Sequence, residues 1–113
     1  MYHEHLIKDD IDIISLAGRL GMADAAEARE QFKTIIEQSR GRLIVDLGNL
    51  KFIDSSGLSV LVFAFKAVRS KEGRILLSNV SAEILSLIEL TRLNEIFEIY
   101  ADTDAALAAM KTP

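Results

Sequence analysis

The chain has no cysteine, which excludes disulfides and thiol chemistry and permits a reducing compartment. It has no long apolar run. The longest uncharged stretch, Ser55 to Phe65, falls well short of the roughly 20 residues that a membrane-spanning helix needs. A basic excess is also missing. Lys and Arg number 13 against 17 Asp and Glu, a formal charge of −4, the wrong sign for nonspecific binding to nucleic acid or an anionic membrane. The opening residues, Met1-Tyr2-His3-Glu4-His5, show no basic region leading into an apolar one, so no secretory signal is read and the cytoplasm is the expected location. No repeat, low-complexity segment or linker interrupts the chain. At 113 residues, half of them apolar, residues 1–113 are expected to form one domain with a real core.

What is present alternates between strand and helix patterns. Residues 2–8 read as a first strand, followed by a turn at Asp9-Asp10. Ile11 to Leu16 is a strand with Ile11 and Ile13 on one face and Ile14 and Leu16 on the other, the pattern of a sheet covered on both sides. Gly18 to Asp24 reads as a loop. Ala25, Ala28, Phe32, Ile35 and Ile36 then mark an amphipathic helix ending near Ser39 to Gly41. Further on, Arg74 to Ser78 is a strand, and Ser81 is placed to cap a short helix carrying Ile84, Leu85 and Ile88. Phe97 to Tyr100 reads as a last short strand. Asp102 or Thr103 caps an Ala-rich helix through Met110, and Lys111-Thr112-Pro113 is expected to fray. This alternation predicts an α/β fold, a mixed or parallel sheet covered by helices.

The middle of the chain carries the most information. Leu43 to Leu47 is a β-branched apolar run that reads as a buried strand. Gly48-Asn49 is expected to turn the chain and Phe52-Ile53 to return it to the core. Asp54-Ser55-Ser56-Gly57 then precedes a helix whose Leu58, Leu61, Phe65 and Val68 share one face and which ends near Glu72-Gly73. Asp and Ser are the residues whose side-chain oxygens satisfy the free N–H groups of a first helical turn. The expected result is a serine pair exposed at a helix N-terminus.

Val45-Asp46-Leu47 through Phe52-Ile53-Asp54-Ser55-Ser56-Gly57-Leu58 resembles the signature of the STAS domain, and more narrowly that of bacterial anti-sigma-factor antagonists. The likeness continues in Leu16-Ala17-Gly18-Arg19-Leu20, Gly73-Arg74-Ile75-Leu76-Leu77 and Leu93-Asn94-Glu95-Ile96-Phe97, so that it covers about Ile11 to Met110. It implies a single STAS-like domain, with a small sheet of about four or five strands and about four helices packed mainly on one side. It also implies a phosphoacceptor at Ser55, the first hydroxyl after the Asp, with Asp54, Ser56 and Gly57 shaping the acceptor loop. The docking face it implies comprises Arg19, Gly21, Asp24 and the first turns after Gly57, including Leu58. Where relatives commonly carry Asp, this chain has Gly21. Asp24 either substitutes for that residue in space or caps the first helix, and the cap is the preferred reading.

Each candidate has a plainer alternative. Asp54, Ser55 or Ser56 can serve only as a helix cap, worth roughly 1 kcal/mol. Val60, Phe63 and Ala67 are either an exposed apolar patch for a partner or are covered by neighbouring helices. His3 and His5 form an H-x-H pair, but no further metal ligands are apparent in the sequence. Glu27, Glu30, Lys33 and Glu37 read as a solvated helix face. Neither a P-loop nor a G-x-S-x-G elbow is present, and nothing beside Ser55 supplies a base or an oxyanion site. No cofactor and no enzymatic activity are expected.

By resemblance, the leading reading is an anti-sigma-factor antagonist in a partner-switching pathway of transcription control. The unphosphorylated form would bind a cytoplasmic serine kinase that doubles as an anti-sigma factor. That kinase would phosphorylate Ser55, and a metal-dependent serine phosphatase would reverse the reaction. The alternative is a constitutive STAS subunit of a membrane transport or other regulatory complex, with Ser55 only a cap. A small Ser-dependent hydrolase is the enzyme-class contrast.

Overall fold

The computed structural model describes residues 2–112. Within them, five strands and four α-helices follow the order β1 (Tyr2–Lys8), β2 (Ile11–Leu20), α1 (Ala25–Gln38), β3 (Arg42–Ile53), α2 (Ser55–Ser70), β4 (Arg74–Ser78), α3 (Ala82–Leu90), β5 (Glu98–Tyr100) and α4 (Thr103–Met110), with a 3₁₀ turn at Leu93–Glu95 before β5. The sheet order is β1-β2-β3-β4-β5. β1 and β2 are antiparallel and every later pairing is parallel. This is the mixed sheet of the expected α/β fold. The hairpin is closed by Asp9 and Asp10, with φ of 54° and 64°. Two successive positive φ values suit a tight two-residue hairpin connection, and Asp is among the few non-glycine residues that tolerate them.

Strand alternation decides which helix covers which face. Ile14 and Leu16 of β2, Leu43, Val45 and Leu47 of β3, and Ile75 and Leu77 of β4 pack with Phe32, Leu61 and Ile88 of α1, α2 and α3. Ile11, Ile13, Ile44 and Leu76 pack on the opposite face with Ala106, Leu107 and Met110 of α4. Three helices thus share one face, and the C-terminal helix covers the other.

Gly48-Asn49 does not turn the chain. β3 runs unbroken through it to Ile53, and its parallel register with β2 shifts twice, between Ser15 and Ala17 and again between Gly18 and Arg19. Each shift adds one residue to β3, a bulge. The bulges explain why Leu47, Leu50 and Ile53, spaced by three, all face the same core when an ideal strand alternates by two. At the first bulge, Asp46 Oδ1 accepts the Gly48 N–H at 2.8 Å, so a side chain takes the place of the ladder partner. β2 also runs to Leu20, through residues 18–20 expected to be loop. α2 ends at Ser70, two residues before the expected stop. The tail makes two contacts: Lys111 Nζ lies 3.0 Å from Asp9 Oδ2 and Arg74 Nη1 donates to the Thr112 carbonyl at 3.2 Å. Pro113 lies outside the described residues.

Candidate functional site

The site lies where β2 and β3 end and α2 begins. Asp54 leaves β3 in extended conformation and its Oδ1 accepts the Gly57 N–H at 3.0 Å, capping α2. Its other oxygen, Oδ2, accepts the Met22 N–H of the β2–α1 loop at 3.1 Å. One carboxylate therefore ties two segments together. Its own N–H reaches back to the Leu20 carbonyl at 3.4 Å.

With the cap supplied by Asp54, neither serine is needed for it. Ser55, the first residue of α2, is exposed, and among the described residues its hydroxyl has no hydrogen-bond partner. Ser56 is half-buried, and its carbonyl accepts the Ser59 hydroxyl at 2.7 Å. The free N–H groups and positive dipole end of a helix start make the surroundings of Ser55 favourable to negative charge.

Gly57 answers to the chain's own packing. A Cβ there would stand 2.2 Å from the Leu20 carbonyl oxygen and 2.6 Å from Ile53 Cγ1. The close approach that glycine allows is made by β2 and is already filled, so Gly57 is no opening for a partner. Leu58 and Val60, expected at the docking face, are turned inward. They are 4% and 0% exposed because α2 packs against α1, β3 and β4, and they offer no docking surface. Phe63 and Ala67 remain half-buried and line a groove of about 440 Å³ between α1 and α2, with Arg29 and Lys33 on its rim.

The β2–α1 loop supplies the neighbouring surface. Arg19 is exposed, its guanidinium 4.0 Å above the Phe52 ring. Gly21 is buried, and a Cβ there would meet Asp54 Oδ2 at 3.0 Å. A side chain at this position would crowd the carboxylate that holds Met22. Asp24 occupies the N-cap position of α1, but its side chain makes no cap bond; Oδ2 accepts the Gly21 N–H at 3.4 Å, back within the loop. The Asp24 carbonyl starts the helix by accepting the Ala28 N–H at 2.9 Å.

Three participants were not read from the sequence. Met22 is 79% exposed beside the cap. Ser59, one turn after Ser55, is approached by Arg29 Nη2 at 3.4 Å. Arg29 also lies 5.7 Å over the Phe63 ring, which places a cation beside the α2 N-terminal turns. The i, i+4 spacing of Ser55 and Ser59 is a usable signal; Arg29, from another helix, has none. The histidines are elsewhere: His5 Nε2 lies 2.7 Å from Asp12 Oδ1 on the β1–β2 hairpin. No hydrogen bond among the described residues links either histidine to Ser55, and none of their His, Asp and Glu residues cluster as a metal site.

The family profile of the STAS domain matches residues 2–106. This chain belongs to the STAS domain family. It is 30% identical over 100 residues to the anti-sigma-B factor antagonist of Bacillus subtilis, covering 88% of this chain and 90% of that protein. An anti-sigma-factor antagonist (STAS) domain protein from Planctomyces limnophilus superposes with a TM-score of 0.89 at 22% identity, covering 97% of this chain and 98% of that one. The Bacillus cell fate determinant SpoIIAA, in its phosphorylated form, superposes with a TM-score of 0.73 at 20% identity, over 96% and 99% of the two chains. No helix among the described residues is long and apolar enough to cross a membrane.

Proposed function

We propose that this STAS domain is an anti-sigma-factor antagonist switched by phosphorylation of Ser55. The observation that carries the reading is the division of labour at the start of α2. Asp54 makes the cap, and the Ser55 hydroxyl stands exposed with no structural bond to lose. The B. subtilis relative is an anti-sigma-B factor antagonist, and SpoIIAA, which shares the fold, exists in a phosphorylated form.

The physics of such a switch follows from the site. A phosphoryl group adds about −1.5 to −2 charges. At the first turn of α2 it meets the positive end of the helix dipole, so the fold tolerates it. Its effect falls on the partner. Arg19, Met22, Ser55 and the Phe63 groove form the docking face, and a phosphate in the middle of it must be desolvated or repelled. Every 1.4 kcal/mol of that cost, roughly, is tenfold in affinity. The partner is a cytoplasmic serine kinase that sequesters a sigma factor and transfers the ATP γ-phosphoryl group to Ser55 Oγ. A metal-dependent serine phosphatase restores the binding form. The protein itself catalyses nothing.

The test is site-localised mass analysis of protein from its native cells, with binding of variants to the co-purified kinase. Phosphate on Ser55, absent from Ser55→Ala, is expected. Ser55→Asp should melt within about 0.5 kcal/mol of wild type and bind the kinase at least tenfold more weakly, about 1.4 kcal/mol. Absence of phosphate in every growth condition, with a permanent complex instead, would overturn the switch in favour of a constitutive subunit.

A further inference from the structure

We infer that β1 is a self-association edge, pairing antiparallel with β1 of a second copy of this chain. Among the described residues, the sheet order leaves β1 hydrogen-bonded on one side only, to β2. It is the longer of the two edges, seven residues against three in β5. Every residue from Glu4 to Lys8 is exposed, with Leu6 at 62% and Ile7 at 68%.

Edge strands that resist association usually place a charge at the centre or carry a bulge or proline. β1 has no proline, and no register shift interrupts its pairing with β2. Its exposed apolar pair is Leu6-Ile7, and its charges stand two residues either side of Leu6, Glu4 before it and Lys8 after. Their signs are opposite. When such a strand meets a copy of itself with Leu6 facing Leu6, Glu4 falls opposite Lys8 of the partner, and Lys8 opposite the partner's Glu4. His5 falls opposite Ile7 in the same register.

The faces agree with this alignment. Directly opposed residues of an antiparallel pair point to one side of the sheet. Leu6 is opposite Ile13 and Lys8 opposite Ile11, both packed on the α4 face, so Glu4, Leu6 and Lys8 share that side. Pairing creates one Leu–Leu contact flanked by two ion pairs, and the two sheets become one of ten strands. Because Tyr2 lies opposite Ala17, near the Ser55 end of β2, a twofold at Leu6 sends the two Ser55 sites to opposite ends. Both stay accessible, and the dimer presents two docking faces. The inference stands whether or not Ser55 is phosphorylated.

One strand pair is a small interface, below about 1,200 Å² in total, so the association belongs to the weak class. Sedimentation of the full chain from about 10 μM to about 1 mM spans that class. The wild type is expected to pass from monomer to dimer in this range. Glu4→Lys and Lys8→Glu should each weaken dimerisation about tenfold, since each turns two attractive cross-strand pairs repulsive. The double variant Glu4→Lys/Lys8→Glu restores both pairs and should recover to within about threefold of wild type. Thermal melts of all three, unchanged at these exposed positions, show that folding is not the cause. A wild type that stays monomeric throughout, or a double variant no better than the singles, overturns the proposal.

Discussion

Two helices of this domain begin with the same chemistry and are put to different use. At α4, Asp102 Oδ1 accepts the N–H of Ala105, three residues on, at 2.7 Å. At α2, Asp54 accepts the N–H of Gly57, three residues on, at 3.0 Å. Each has a hydroxyl residue in its first helical position, Thr103 and Ser55. Thr103 is consumed by structure: Oγ1 lies 2.9 Å from Ser78 Oγ and donates to Asp46 Oδ2 at 3.3 Å. The Ser55 hydroxyl is left to solvent. Cap chemistry therefore does not distinguish the two hydroxyls. What sets Ser55 apart is that the fold leaves its hydroxyl unused, beside a cap that also anchors a second loop.

The third position after the cap gives the sharpest break in the comparison. It is Ala in α4 and Gly in α2. Ala is the better helix former by roughly 0.5–1 kcal/mol, so propensity alone would make Gly57→Ala stabilising. The Leu20 carbonyl, 2.2 Å from the new Cβ, reverses that sign. Backbone cannot retreat as a flexible side chain can, and the expected loss is about 3 kcal/mol, with a fall in Tm on the order of 10 °C. The matching change Ala105→Gly should cost only about 0.5–1 kcal/mol. Thermal melts of the two variants decide it; equal effects would mean that α2 is not pressed against β2.

How much of this could be read in the sequence follows from which contacts are local. The alternation of Ile11 and Ile13 against Ile14 and Leu16 marked a strand covered on both faces, and α4 and the three-helix layer are those covers. Ser81 and Asp102 cap where their residue types indicated. Most of the misreadings depend on distant partners. Gly48-Asn49 has turn composition, but the Asp46 carboxylate and the pairing with Ala17 keep it in a strand. Of the two readings open for Val60, the covered one holds, because α2 packs against α1, β3 and β4. The reason for Gly57 is likewise invisible locally, because the Leu20 carbonyl that requires it lies far back in the sequence. The motif identified the place; packing decided which of its residues face outward.

Cap removal should separate the two helices by a smaller margin. Asp102→Ala loses one cap bond, about 1 kcal/mol. Asp54→Ala loses the cap and also the Met22 anchor, an exposed bond that adds about 0.5–1 kcal/mol, for a total near 2 kcal/mol. Urea melts give both values. Amide exchange adds a readout that only α2 should show: in Asp54→Ala the Met22 N–H loses protection along with Gly57, whereas Asp102→Ala leaves the β2–α1 loop untouched. If Met22 exchange is unchanged, the double tie through Asp54 is wrong.

The smallest effect concerns the far end of α4, which its own chain also secures. Arg74 Nε and Nη2 donate to the two oxygens of Glu98 at 2.7 and 2.5 Å, and Nη1 donates to the Ala109 carbonyl, in the last turn of α4, at 2.9 Å. Hydrogen bonding from Arg74, reinforced by its charge, holds the Glu98 carboxyl below its ordinary value of 4.5 and outweighs the opposing effect of burial. A lowered folded-state value means stability that is present above the unfolded pKa and lost as pH falls through the folded one. The Glu98 side chain is 42% exposed, so solvent screening limits the contribution to less than about 1 kcal/mol. Glu98→Gln should therefore be slightly less stable than wild type at pH 7, with the gap closing as pH falls below about 4. Urea melts across that range test the sign. A gap that widens in acid would mean that the Arg74–Glu98 pair does not steady the end of α4.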